Sequence, residues 1–241
     1  ISSWYYMAGG ICGVNFNGTV SRCSNEAFIS GQEAAGGIAG QNVHATVSES
    51  CSAGRVSSLQ FAGGVVGQES HGIIQNCYNT GAVKGNTIAG GVVGAFEGGL
   101  IETCFNIGTV SGDEKIGGVV GDSNADCTVC YYQSGVTDTL PIDRGICTAM
   151  KQSDMQKATF AQKLGAAYSG ITGSYPLLSW QQRRSQTTEA TIDTTTETTK
   201  ATAITTKKAT TDTTKLSNTT TSARTTQTTT ITTTEQPVTG T

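Results

Sequence analysis

Apolar positions in the first 135 residues come in short clusters, mostly β-branched, separated by Gly and Asn. The clusters keep a strict step. Gly-Gly pairs begin at Gly9, Gly36, Gly63, Gly90 and Gly117, 27 residues apart each time. Counting the first Gly as position 0, apolar residues recur at three places. These are position 2 (Ile11, Ile38, Val65, Val92, Val119), position 11 (Val20, Val47, Ile74, Ile101) and position 20 (Ile29, Val56, Val83, Val110). Such clusters read as strands, and no repeat shows a helical face with 3.6-residue spacing. A unit of this size cannot close a core alone, but copies stacked in register bury the same residues against one another. The pattern therefore predicts an all-β, β-helix-like solenoid of about five coils, roughly 24 Å long at about 4.8 Å per coil. A five-bladed or layered antiparallel arrangement with one hairpin per repeat satisfies the same spacing.

Beyond Gly135 the pattern changes. Residues 153–165 read as one short helix, with Ser153 as N-cap, Gly165 just past its end, and Met155, Ala158, Phe160, Ala161 and Leu164 on a mixed apolar face. Tyr175–Trp180 reads as a final strand, of edge type because of Pro176. The expected organisation is repeats over 1–135, a small α/β C-terminal cap over 136–185, and a tail over 186–241. In that tail 28 of 56 residues are Thr and none is aromatic, which predicts a disordered linker or stalk.

The segments Gly90-Gly91-Val92-Val93-Gly94 and Asn76-Cys77-Tyr78-Asn79-Thr80-Gly81-Ala82-Val83 resemble the GLUG repeat. The resemblance covers roughly residues 9–135, in five copies. GLUG repeats occur in large bacterial surface and secreted proteins, including adhesin-like proteins and some immunoglobulin A peptidases. The resemblance implies an extracellular chain, secreted or attached to a bacterial surface, whose partner is a host or cell-surface protein or a glycan. The chain starts at Ile1-Ser2-Ser3-Trp4 with no signal peptide, so a piece of a longer multidomain protein is expected.

Charge narrows the partners. The net charge is −3, with no basic patch to attract a phosphate backbone, so nucleic acid is not an expected partner. No apolar run approaches a membrane span. No cofactor is indicated. Of the eight cysteines, Cys23, Cys51, Cys77, Cys104 and Cys130 lie near position 14, with slips of one residue at Cys51 and Cys130. They predict a ladder, read either as a column of buried thiols or as disulfides between adjacent coils. Cys127 and Cys130 form a C-x-x-C, a signal that is not specific for zinc without a second pair. Cys147 is able to meet Cys12 or Cys127 only if the cap folds back.

Candidate sites are few. Tyr78, Phe105 and Tyr131 each follow a ladder cysteine, so strand alternation turns them to the opposite face. An exposed row of rings there would suit a sugar or a partner surface. Asn25, Asn79 and Asn106 come next and predict an inward asparagine ladder. His44 and His71 share position 8, and with Glu69 they form a metal candidate, though the same position elsewhere resembles a solvent-facing loop. There is no H-E-x-x-H motif and no recurring carboxylate pair, so no catalytic residue is assigned. The expectation is a non-catalytic module for adhesion or scaffolding, with a carbohydrate-binding module as the alternative.

Overall fold

The 27-residue step becomes one coil of a parallel stack. The computed structural model describes residues 6–122 and 124–182. Met7, Ala8 and Gly9 pair with Ala34, Ala35 and Gly36 of the next coil, and Val56↔Val83 and Tyr78↔Phe105 keep the same register. Every such pairing between coils among the described residues is parallel. The chain is thus a β-solenoid of about five turns, and the antiparallel alternative is set aside. The Thr-rich tail expected over 186–241 lies outside the described residues.

Each full coil carries five short strands rather than the three that its apolar clusters suggest, and these stack into five walls. Wall one holds the strands ending in the first Gly of each pair, such as Ala34–Gly36 and Phe61–Gly63. Wall two runs through Ala39–Val43 and Val66–Ser70, wall three through Thr46–Ser48 and Gly72–Gln75. Wall four runs through Cys51–Ser52, Tyr78–Asn79 and Phe105–Asn106, wall five through Val56–Ser58 and Val83–Gly85. The position 2 residues, such as Ile38 and Val65, fall at the bend between walls one and two, and the strands of wall four are only two or three residues long, which is why apolar counting does not resolve five.

Two corners use left-handed backbone. Asn17, His44 and His71 (φ 52°, 47° and 58°) turn wall two into wall three. Arg22, Glu49, Asn76, Thr103 and Val129 (φ 53°, 44°, 52°, 53° and 56°) turn wall three into wall four. Asn and His tolerate this region better than most side chains.

The core has two lobes. Ile38, Val65, Val92 and Val119 meet Val47, Ile74 and Ile101 in one. Ile29, Val56, Val83 and Val110 meet Ala35, Ala62 and Ala89 in the other. Between the lobes wall four touches the Gly-Gly bend: a Cβ on Gly64 would overlap the Asn79 side chain. That contact explains why the second Gly of the pair recurs.

Past the fifth coil the chain makes part of a sixth. Thr148–Met150 adds a last strand to wall four beside Tyr131–Gln133. Asp143, fully buried, lies over the end of the stack and accepts the N–H groups of Gly118, Val119 and Val120 at 3.0, 2.7 and 3.0 Å. Burial raises the Asp143 pKa above the usual carboxylate value despite these bonds.

The single helix expected over 153–165 is two: α1 (Gln152–Met155) and α2 (Ala158–Leu164). Ser153 lies inside α1 and caps nothing, since Lys151 holds the N-cap position. The break lets both Met155 and Phe160 enter one apolar cluster. Gly165 does end α2, at φ 89°. The final strand is shorter than expected. Leu177–Leu178 pairs antiparallel with Tyr168–Ser169, and residues 179–182 are helical.

Candidate functional site

Wall four carries the residues singled out by sequence, and the register reassigns one of them. Cys51 pairs with Ser24 and Tyr78. It therefore stands in the ring column, not the thiol ladder. Ser50 takes the ladder position, and the column reads Cys23, Ser50, Cys77, Cys104, Cys130, with Cys147 as the next rung. Each of the first five rungs donates to the carbonyl two residues back: Cys23 to Ser21 (3.3 Å), Ser50 to Ser48 (2.8 Å), Cys77 to Gln75 (3.2 Å), Cys104 to Glu102 (3.2 Å) and Cys130 to Thr128 (3.4 Å). The side chain thus closes the left-handed corner between walls three and four. That demands a small donor, Cys or Ser, and all eight cysteines are free thiols.

Tyr78, Phe105 and Tyr131 do form a column. The Tyr78 and Phe105 rings stack at 5.0 Å and are 5° from parallel. They are not the exposed row expected from alternation. Tyr78 is 5% exposed and Phe105 fully buried, because the C-terminal segment lies along this wall. Phe160 meets Phe105 and Tyr131 edge-on at 5.7 and 5.3 Å, and Met155, Leu164, Tyr168 and Leu178 complete the cluster. Three large rings on an outer face expose more apolar surface than a monomer readily leaves wet, so the apolar sides of α1 and α2 cover them.

The asparagine ladder is present but interrupted. Asn79 Nδ2 donates to Asn106 Oδ1 at 2.9 Å, and each side chain also bonds the backbone two residues on. In the second coil Ser52 stands in this column, and its buried Oγ has no partner. A second polar ladder, missed by sequence reading, runs along wall two. Asn15 Nδ2 donates to Asn42 Oδ1 (2.8 Å), and Asn42 Nδ2 donates to Glu69 Oε2 (2.9 Å). Glu69 Oε1 accepts the Gly72 N–H at 2.5 Å. Glu69 is fully buried, and burial raises its pKa to about 7.

This disposes of the metal candidate. His44 and His71 are exposed at their corner, with rings 5.5 Å apart, while the Glu69 carboxylate is committed inside the stack. Their shared position reflects the left-handed corner. Among the described residues, no group of three or more His, Cys, Asp or Glu is arranged to hold a metal ion.

What wall four does offer is a cleft of about 420 Å³. The ring column shrinks to Cys51 and Ser24 in the first two coils, whereas the cap segment continues over them. The cleft lies between. Its floor includes Cys51, Ala53 and Tyr78, its wall includes Tyr175, Pro176 and Leu177, and Ser24, Glu26, Thr80 and Gln181 supply polar groups. Gln181 is held in place, its Oε1 accepting from Tyr78 Oη at 2.9 Å and its Nε2 lying 3.2 Å from Cys51 Sγ. Trp180 Nε1 donates to the Glu49 carbonyl at 2.9 Å and anchors the end of the segment. Sequence reading had no access to this cleft, because it depends on where 174–181 folds back.

Fold and site together define the class: a parallel β-solenoid of stacked repeats with a cap lying along one wall. No protein-family model and no curated protein matches the sequence. Among solved structures the chain is similar to one from Bacteroides ovatus described as a "putative immunoglobulin A1 protease". The TM-score is 0.56 and the identity 19%, with 74% of this chain covered. The match spans 65% of that chain's length. At this identity the likeness concerns the fold. No helix among the described residues is long and apolar enough to cross a membrane.

Proposed function

We propose that the chain is a non-catalytic repeat module of GLUG type, serving adhesion or scaffolding on a bacterial surface or secreted protein. The observation that supports this is where the polar side chains go. Asn15, Asn42, Glu69, Asn79 and Asn106 are bonded to one another or to backbone inside the stack. They stiffen a rod instead of converging on a reacting atom. The name of the Bacteroides ovatus structure fits a module carried by a larger peptidase, with the repeats as its non-catalytic part. Partners would be a host or cell-surface protein or a glycan, and the setting extracellular. The test is binding of the full chain to arrays of surface proteins and glycans, alongside peptide and glycan hydrolysis assays. Saturable binding without turnover is expected. Product release above buffer that resists further purification would overturn the reading.

The cleft favours a second reading, carbohydrate binding, at the end of the ring row beside Tyr78 rather than on an exposed row of rings. An apolar floor with a Tyr edge, a carboxylate, an amide and hydroxyls at its rim suits a sugar ring. Glu26 and Thr80 are exposed, so Glu26→Ala and Thr80→Val probe the cleft without disturbing the core. Glycan binding that survives both variants unchanged would eliminate the cleft as the site.

A further inference from the structure

We propose that the cleft has a second subsite, built by Phe28 and Arg55, so that its ligand is a neutral sugar chain rather than a single sugar. This rests on the carbohydrate reading of the cleft and says what kind of carbohydrate it takes.

The cleft lies beside a column that leads out of it. Glu26, Ala53, Thr80 and Ile107, one from each of four successive coils, all line it. Backbone bonds fix them in register at the end of wall four. The N–H groups of Ala53, Thr80 and Ile107 donate to the carbonyls of Asn25, Ser52 and Asn79 at 2.8, 2.8 and 3.0 Å. Two residues further along, Phe28, Arg55, Ala82 and Thr109 form the next column, at the corner before wall five. All four are exposed. In the second and third coils glycine stands between the columns. A Cβ on Gly54 or Gly81 would lie 2.0 or 2.1 Å from a backbone oxygen of the coil before. Packing thus demands glycine there, and no side chain separates cleft from corner in these coils.

The corner carries what a sugar ring needs. Phe28 is 52% exposed, and the Arg55 guanidinium carbon lies 5.9 Å from the centre of its ring. At that distance the cation is attracted to the ring and holds it in place. Glu26 and Arg55 carry opposite charges in adjacent columns. Among the described residues the salt bridges are Arg22–Glu49 and Lys157–Asp154, so neither Glu26 nor Arg55 is spent on an ion pair. A sugar hydroxyl donates to the Glu26 carboxylate, and another accepts from the Arg55 guanidinium. The apolar face of a ring lies on Phe28. Glu26 and Phe28 are two residues apart, at most about 7 Å of chain. That span suits neighbouring rings of one chain, the first in the cleft and the next at the corner.

The test uses the full chain and four neutral series, xylo-, manno-, cello- and N-acetylated chito-oligosaccharides of one to six units, titrated by calorimetry or NMR. In the series that binds, affinity should rise roughly 3- to 10-fold once a unit reaches Phe28. Phe28→Ala should abolish that rise, Phe28→Tyr should keep it, and Arg55→Gln should reduce it. Thr80→Val, within the cleft, should weaken every length alike. Phe28 and Arg55 are both exposed, and unchanged circular dichroism and thermal midpoints confirm that the variants fold. Equal affinity at every length, or a rise that persists in Phe28→Ala, would overturn the second subsite while leaving the cleft as a sugar site. Failure of every series at every length would overturn the carbohydrate reading and this inference with it.

Discussion

Asp143 Oδ2 accepts the Val119 N–H at 2.7 Å, at the place where each earlier coil relies on its neighbour. The equivalent amides of Ile38, Val65 and Val92 donate to the carbonyls of Val65, Val92 and Val119 at 2.9, 2.8 and 2.7 Å. One carboxylate thus replaces the carbonyl of a missing coil. Asp143→Ala would leave the N–H groups of Gly118, Val119 and Val120 buried and unpaired, a loss of roughly 3–5 kcal/mol. Hydrogen exchange should show protection lost first at Val119 and Val120. Unaltered protection there would mean that the end is held by something else.

Glu69 makes stability depend on pH. Its folded pKa of about 7 lies above the usual 4.5, so between these values the folded chain holds a proton that the unfolded chain has released. Stability is complete below about pH 4.5 and falls as pH rises to about 7, by roughly 3 kcal/mol in all. Asp143, also raised by burial, adds a loss of the same sign starting from lower pH. Glu69→Gln should remove the greater part of the slope, whatever its offset at a single pH. Urea midpoints between pH 4 and pH 8 measure it, and a slope that persists in the variant would assign it elsewhere.

Ser52 is the gap in the asparagine ladder. Its buried Oγ lacks a partner, while Asn79 in the next coil bonds both the N–H and the carbonyl of Gly81. Ser52→Asn should find Gly54 in the same relation and stabilise by about 1 kcal/mol. A lower thermal midpoint would show that the second coil departs from the repeat geometry.

Phe105 joins the stack to its cap. It is fully buried, stacked on Tyr78 and edge-on to Phe160. Phe105→Ala should cost about 3–5 kcal/mol and open residues 151–182 to limited proteolysis before the coils are cut. Cleavage that began within the coils would place the weak point elsewhere.

Particular residues show how much of this was legible. The 27-residue step located the stack, its inward Val and Ile columns and its Asn ladder, because stacked coils must present like residues to one another. Spacing misled at Cys51, where an apparent slip hid a Ser50 rung. Cys and Ser do the same work as corner donors, and matching by residue type alone could not reveal that equivalence. The shared position of His44 and His71 was likewise a backbone requirement, visible only in their left-handed φ.

What the sequence by itself determined is the repeat: the 27-residue step, the β-branched core columns and the recurring Gly-Gly pairs, all consequences of nearest-neighbour packing repeated along an axis, whereas the parallel register was decided by the structure. What only the tertiary structure decided involves residues far apart in the chain. The cap turned alongside wall four and buried Tyr78 and Phe105. Asp143 reached back to Val119, and Glu69 was committed to Asn42. No periodicity marks such contacts, since each occurs once and depends on the path of a non-repeating segment through space.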